Sequence, residues 1–269
     1  VSGERIILTG AASGIGAAAA KALRDRGATV VGLDLDASEG IVECDVSDQE
    51  SVDRAVAEAL ERFGGGVDVL INNAGVGFSQ SAGTAPDARA LKVIEVNMLG
   101  PWRVTSAALP ALRASRGRVV NVSSGLAHVT APFATAYCMS KRGVVAYSDA
   151  LRLEHGDAIT VTTVYPGYIK TPIHDASNAD GFSLDGLVPE EPLAGAAATL
   201  VRAALGPPAR DLATTRQGAV GYALARRAPR RLMDRLTLRT LRRHATAGRF
   251  DGSEMAREFV ERVRSVSAS

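Results

Sequence analysis

Short, nearly unbroken runs of branched aliphatic residues recur along this chain: RIILTG, ATVVGLD, VDVLINNAG, GRVVNVSS and AITVTTVYPG. A strand with one face in water alternates apolar and polar residues. A continuous run marks a strand covered on both faces, as in a parallel sheet. Longer stretches with helical spacing separate the runs: IGAAAAKALRDRG, DQESVDRAVAEALERF, LKVIEVNMLGPWRVTSAALPALRAS and TAYCMSKRGVVAYSDALRLEHG. Ser47 or Asp48 can cap the second of these. The alternation predicts right-handed crossovers into a doubly wound α/β fold, a mostly parallel sheet with helices on both faces. A length of 269 residues suits one such domain, and no repeat or low-complexity linker divides it, so residues 1–269 read as a single unit.

Bulk properties remove several function classes. Net charge is +2, from 31 basic and 29 acidic residues, and aromatics are only 4%. Neither a global basic field nor stacking platforms for bases are present, which argues against nucleic acid as a partner. Cys44 and Cys138 form no C-x-x-C, and His128, His155 and His174 are scattered, so no metal is expected. Free thiols fit a reducing compartment. No leader-like head and no window approaching a membrane span occur, and the expectation is a cytoplasmic protein.

Between the first run and the first helical stretch lies TGAASGIGAAAA, Thr9 to Ala20. Gly10, Gly14 and Gly16 fall in the turn and the first helical turn, with Ser13 and Ile15 between them. Residues without Cβ let the backbone turn tightly and let a ligand come close. The unpaired N–H groups and partial positive charge of a helix N-terminus suit a pyrophosphate. The following alanines allow the helix to pack close to the sheet. Taken alone, a G-x-x-x-G-x-G loop is no more than a tight βα turn. Asp34 adds to it, ending ATVVGLD roughly 20 residues further on. A carboxylate there can accept from both adenosine ribose hydroxyls and repels a 2′-phosphate. With the non-basic Ser13 it predicts NAD over NADP, although a plain turn aspartate reads the same in isolation.

Downstream, YCMSK sets Tyr137 and Lys141 four residues apart, on one helical face. An ammonium beside a phenol favours the phenolate and is expected to lower its pKa. Such a tyrosine can exchange a proton with a carbinol oxygen near neutral pH. Ser124, in VVNVSSG, ends a strand thirteen residues earlier and points into the crevice where open α/β sheets bind ligands. Ser123 is the neighbouring candidate.

Together these pieces resemble the short-chain dehydrogenase/reductase family. The resemblance covers about Arg5 to Thr171, in the family's order: TGAASGIG, Asp34, CDV, NNAG, VN before a long helix, NVSSG, YCMSK and YPGYIKT. It implies a Rossmann-type fold and a homodimer or homotetramer. Tyr137 would be the catalytic acid/base. Lys141 would lower its pKa and bind the nicotinamide ribose. Ser124 would orient the substrate oxygen, and Asn97, in EVNMLG, would hold a water linking Lys141 to solvent. Asp45 and Val46 would contact adenine. Asn73, Ala74 and Gly75 would pass under the cofactor, and Pro166, Gly167, Ile169 and Thr171 would hold its carboxamide. Asp68 and Asn72 would support the sheet. The implied activity is hydride transfer between NAD and a secondary alcohol or ketone. A non-catalytic NAD-binding regulator, or an epimerase or dehydratase on the same scaffold, is the alternative.

Two segments lie outside that pattern. Residues 175–192, rich in Ser, Asp, Gly and Pro, read as a substrate loop or lid carrying Phe182, Leu184, Leu187 and Val188. Residues 216–269 read as a helical extension. Within it, Tyr222 to Phe250 holds nine arginines against Asp234, net +8, which leaves −6 for the remainder. The favoured reading is a cap over the substrate pocket that also packs against a partner subunit. Contact with an anionic membrane surface ranks below it, because Leu232, Met233, Leu236, Leu238 and Leu241 form no single stripe. Nucleic acid ranks last, and a merely solvated arginine-rich helix stays open. An apolar lid would favour a lipophilic alcohol.

Overall fold

The computed structural model describes residues 3–180 and 190–267. Strands β1 (Arg5–Thr9), β2 (Thr29–Asp34), β3 (Ile41–Glu43), β4 (Val69–Asn72), β5 (Arg118–Val122), β6 (Thr160–Tyr165) and β7 (Asp211–Ala213) form one sheet in the order β3-β2-β1-β4-β5-β6-β7. Every pairing is parallel. The chain starts mid-sheet, runs to one edge, then returns and runs to the other. The switch between β1 and β4 opens a crevice at the C-terminal strand ends.

The continuous apolar strands are explained by two cores. On one face, α2 (Gln49–Arg62), α4 (Gly100–Ala114) and α5 (Thr135–His155) bury Val52, Val56, Val104, Leu112 and Leu151 against Ile7, Leu70 and Val119. On the other, α1 (Gly14–Arg24) and α7 (Leu193–Leu205) bury Ala19, Leu23, Leu200 and Ala204 against Ile6, Leu8, Ile71 and Val120. Polar ties cross these layers. Arg5 grips the Asp68 carboxylate through Nε at 3.0 Å and Nη2 at 2.8 Å. Asn72 donates to Thr105 and Asn121 beneath α4. Of the two cap candidates for α2, Asp48 accepts from the Glu50 and Ser51 amides, while Ser47 donates to Asp45 instead.

The helix expected over LKVIEVNMLGPWRVTSAALPALRAS runs unbroken, but its hydrogen-bond ladder is not uniform. It comprises α3 (Ala88–Ile94), a π-helical turn at Glu95–Leu99, and α4. A π-turn widens the ladder by one residue and often marks a functional position. Here it contains Asn97, which is fully buried.

Beyond the sheet, α8 (Arg216–Arg227), α9 (Arg230–Thr246) and α10 (Arg257–Ser267) form the C-terminal extension. Leu241, Ala245, Phe250, Ala256 and Val260 make a small core of their own, which packs on Phe133 from the loop before α5. Of the expected lid, α6 (Asp175–Ala179) is a short helix, and Phe182, Leu184, Leu187 and Val188 lie outside the described residues.

Candidate active site

Around the turn between β1 and α1, glycine is required by close approach. Gly10 has φ +68°, and a Cβ there would lie 2.8 Å from the Ala74 Cα. A Cβ on Gly16 would lie 1.9 Å from the Gly10 carbonyl oxygen, which no side chain tolerates. The two positions differ in role: Gly10, Ser13, Gly14 and Ile15 line the cavity, whereas Gly16 does not and serves packing. Thr9 joins this turn to the NNAG segment, its hydroxyl accepting from the Asn73 and Ala74 amides at 2.9 and 3.0 Å. Asn73 donates in return to the Thr9 and Gly10 carbonyls.

Asp34 ends β2 beside this cradle. Its carboxylate accepts from the Ala12 and Leu35 amides, both at 2.8 Å, which fixes its orientation at the cavity edge. Asp45 accepts from Ser47 and forms an ion pair with Lys92 at 3.2 Å. Val46 packs under Gly100, where a Cβ would meet it at 3.0 Å.

At the other end, β5 and α5 bring Ser124, Tyr137 and Lys141 together. The Ser124 hydroxyl accepts from the Leu126 amide at 3.2 Å and sits near enough to the Tyr137 phenol to favour its charged form. Ser123 instead donates to the Lys141 carbonyl at 2.8 Å, tying strand to helix. Lys141 is 3% exposed, and its Nζ donates to the Val122 carbonyl at 3.0 Å, 5.5 Å from the Tyr137 ring centroid. Burial pulls the Lys141 ammonium down to about 8. Burial pushes the Tyr137 phenol up to about 12, with Ser124 opposing. The expected lowering of the phenol is therefore outweighed. The ammonium is engaged by a carbonyl rather than the phenol oxygen, and desolvation penalises both charged forms.

These ends belong to one cavity of about 600 Å³, within the range of small-molecule and cofactor sites. Asp34, Asp45, Val46, Asn73, Ala74, Gly75, Ser124, Tyr137, Lys141, Pro166, Gly167, Ile169 and Thr171 all line it. Asn97 lies behind the wall. Its Oδ1 accepts from the Val76 amide at 2.8 Å and its Nδ2 donates to the Val76 carbonyl at 2.9 Å. The π-turn is what aims this side chain inward, so Asn97 holds the loop after β4 in place. Cys138 faces away, toward the Ala131 carbonyl. His128 lies outside the lining, in a cluster of tilted rings with Tyr165 and Tyr222. Among the described residues, no three of His, Cys, Asp or Glu group as metal ligands.

A family model described as short chain dehydrogenase matches residues 4–181, more than half of the chain. The chain belongs to the short-chain dehydrogenase/reductase family. Among its relatives, dehydrogenase/reductase SDR family member 7B of Rattus norvegicus is 35% identical over 200 residues, 65% of this chain and 61% of that protein. The match thus spans less than two thirds of that relative. L-fucose dehydrogenase of Bos taurus is 34% identical over 185 residues, 64% of this chain and 68% of that protein. The solved 3-ketoacyl-(acyl-carrier-protein) reductase of Brucella melitensis, complexed with NADH, superposes with a TM-score of 0.70. It is 27% identical and is covered to 96% by 79% of this chain. An alcohol dehydrogenase of Thermococcus sibiricus, complexed with 5-hydroxy-NADP, gives the same TM-score at 25% identity, with 79% of this chain covering 96% of it. NAD(P) is the cofactor typical of the family, and the glycine cradle and the acid at the ribose end fit a dinucleotide.

This family member builds part of its cavity from beyond the matched region. Glu191 accepts from the Gly167 amide at 3.0 Å, from Thr215 at 2.9 Å and from Thr214. Thr215 in turn caps α8 by accepting from the Gly218 amide at 3.0 Å. One carboxylate thus ties the Pro166–Gly167 loop to the start of the extension. Tyr222, two turns into α8, closes over Gly125, where a Cβ would meet its hydroxyl at 2.3 Å. Neither residue belongs to a motif, so sequence alone did not single them out. Glu191→Ala should lower stability by about 1 kcal/mol, because its hydrogen-bond partners are only half-buried. It should also raise KM for the alcohol several-fold while kcat changes less. Thermal unfolding and steady-state kinetics check this, and an unchanged KM would remove Glu191 from the site's support.

Proposed function

We propose that this chain is an NAD-dependent oxidoreductase that interconverts a lipophilic secondary alcohol and its ketone. One observation carries the reading: Ser124, Tyr137 and Lys141 converge in the same cavity whose far end holds the glycine cradle and Asp34. Ser124 hydrogen-bonds the substrate oxygen and sets its angle. Tyr137 donates its proton to that oxygen in reduction and withdraws it in oxidation. Lys141 holds the nicotinamide ribose and supplies positive charge beside the phenol when it becomes phenolate. The bound nicotinamide supplies or accepts the hydride at the carbinol carbon.

NAD preference rests on Asp34, which is oriented by two backbone amides and would meet a 2′-phosphate with like charge. The wild type should therefore turn over faster with NAD than with NADP. Asp34→Ala should weaken NAD binding and narrow that gap. A wild type that prefers NADP would overturn the assignment.

The lipophilic substrate rests on Phe78, Leu126, Val129, Phe133, Ile173 and Tyr222 around the catalytic end. Apolar contact contributes roughly 25 cal/mol per Å² buried, whereas a polyol needs buried partners for each hydroxyl. The test is kcat/KM for a steroid or long-chain secondary alcohol against a sugar alcohol and L-fucose, with either cofactor, read at the reduced-nicotinamide absorbance. A clear preference for the sugars sinks the lipophilic assignment, and no turnover with any alcohol favours a binding role.

A further inference from the structure

Helices α8 and α9 gather two properties that the rest of the surface keeps apart. Of the eleven large hydrophobic residues exposed among the described residues, five lie between Val220 and Leu238. The same two helices hold nine arginines and a single acid, Asp234. None of those nine arginines is in an ion pair among the described residues. Elsewhere the chain pairs arginines with acids, as in Arg5–Asp68, Arg89–Asp180, Arg103–Glu95 and Arg152–Asp149.

Position on the helices explains why the sequence showed no single stripe. On α9, Leu241 and Ala245 point inward, into the small core shared with α10. Leu238 continues that side one turn earlier and emerges 43% exposed. Leu232 and Leu236, at i and i+4, lie on roughly the opposite side. They are 48% and 51% exposed, and Arg239 and Arg243 continue their line. On α8, Tyr222 and Gly218 face the cavity. Val220 and Leu224 face away, 61% and 64% exposed, with Arg216 and Arg227 at the two ends of their line. Each helix therefore shows solvent an aliphatic pair extended by arginines.

We infer that the outer faces of α8 and α9 dock this protein on a bilayer leaflet rich in anionic headgroups. Scattered exposed leucines need no explanation, but aliphatic pairs framed by unpaired arginines form the face of an interfacial helix. The aliphatic tips enter the acyl boundary, while the long arginine stems reach back to phosphates. A second copy presenting the same face would meet it with like charge. Nucleic acid would use the arginines but has no use for the aliphatic pairs. Among the described residues, no helix is long and apolar enough to cross a membrane, so the contact is with the surface. Because Thr215, Gln217, Gly218 and Tyr222 line the cavity from α8 and the turn before it, docking would set the substrate entrance near the leaflet. That last step alone rests on the proposed lipophilic substrate.

The test is co-sedimentation of the full chain with vesicles of phosphatidylcholine alone or mixed with phosphatidylglycerol, at low and physiological salt. We expect binding to the mixed vesicles only. Replacing Arg235, Arg239 and Arg243 together by Gln should weaken it about a hundredfold, at about one kcal/mol per charge. Leu232→Ser with Leu236→Ser, all charges kept, should weaken it at least about tenfold. Both variants should keep wild-type circular dichroism and turnover of a water-soluble secondary alcohol. Such turnover with no vesicle binding rejects docking and leaves the proposed function standing. Binding that ignores the leucine changes marks a solvated basic face and overturns the inference. So does tighter binding to duplex DNA than to vesicles, or an oligomer that dissociates when these residues are changed.

Discussion

Tyr137→Phe is expected to cut turnover by about 10²–10⁴, the range for removing a general acid–base group, while cofactor affinity stays close to wild type. The phenol lines the cavity with Ser124, and burial pushes its pKa up to about 12. Burial thus favours the protonated phenol, the form that donates to a carbonyl oxygen in reduction. Phenylalanine keeps the ring and loses only the oxygen, so the fold loses at most about 1 kcal/mol, the typical net value of one hydrogen bond. Single-turnover kinetics with a reactive ketone would isolate the chemical step, and fluorescence titration would give cofactor affinity. Near-normal turnover in this variant would show that another group handles the proton. A large loss of cofactor affinity would mean that the hydroxyl serves cofactor binding and not proton transfer alone.

The parallel sheet and its helices were legible because burial on both faces leaves a nearly unbroken apolar run, as in RIIL and VVNV. The convergence of Ser124, Tyr137 and Lys141 on one cavity was legible because they sit in local motifs. The sequence did not show how those groups act on one another. YCMSK places Lys141 beside Tyr137 and suggests a lowered phenol pKa, but desolvation is a property of the packed interior. Nor does spacing show that Nζ is held by the Val122 carbonyl, which lies on a different element. The π-turn escaped for a related reason. LKVIEVNMLG has ordinary helical composition, and the contact between Asn97 and Val76 that accompanies the π-turn joins residues 21 apart in the chain.

Contacts from the extension were the least legible. Glu191 precedes α7 and carries no motif, yet it accepts from three donors on two other segments. The leucines of α9 form no single helical stripe because they serve two faces, one inside and one outside. A periodicity argument assumes one buried side per helix and fails where a helix has two apolar tasks.

Lys141→Met is expected to abolish most activity and at the same time raise stability at neutral pH. The ammonium is almost fully buried, without a carboxylate partner among the described residues. Its pKa falls from 10.5 to about 8 through desolvation. At about 1.4 kcal/mol per pH unit, that places of order 3 kcal/mol against the folded state while the lysine is charged. The bond to the Val122 carbonyl offsets about 1 kcal/mol when it is lost. The net gain should appear as a rise of several degrees in Tm, at about 2–4 °C per kcal/mol. The pH dependence fixes the sign. Below about 8 the lysine is charged in both states, and the folded state bears the full desolvation cost. Between about 8 and 10.5 the unfolded chain holds the proton that the folded chain has released, so wild-type stability rises with pH across this window. The methionine variant lacks that rise, and its advantage should shrink across the window. Denaturant unfolding of both proteins at pH values spanning it is the measurement. A variant less stable than wild type at neutral pH, or a gap that widens with pH, would mean that Lys141 contributes more to packing than its charge costs. If the prediction holds, this enzyme keeps a destabilising ammonium at the one place where positive charge can support a phenolate.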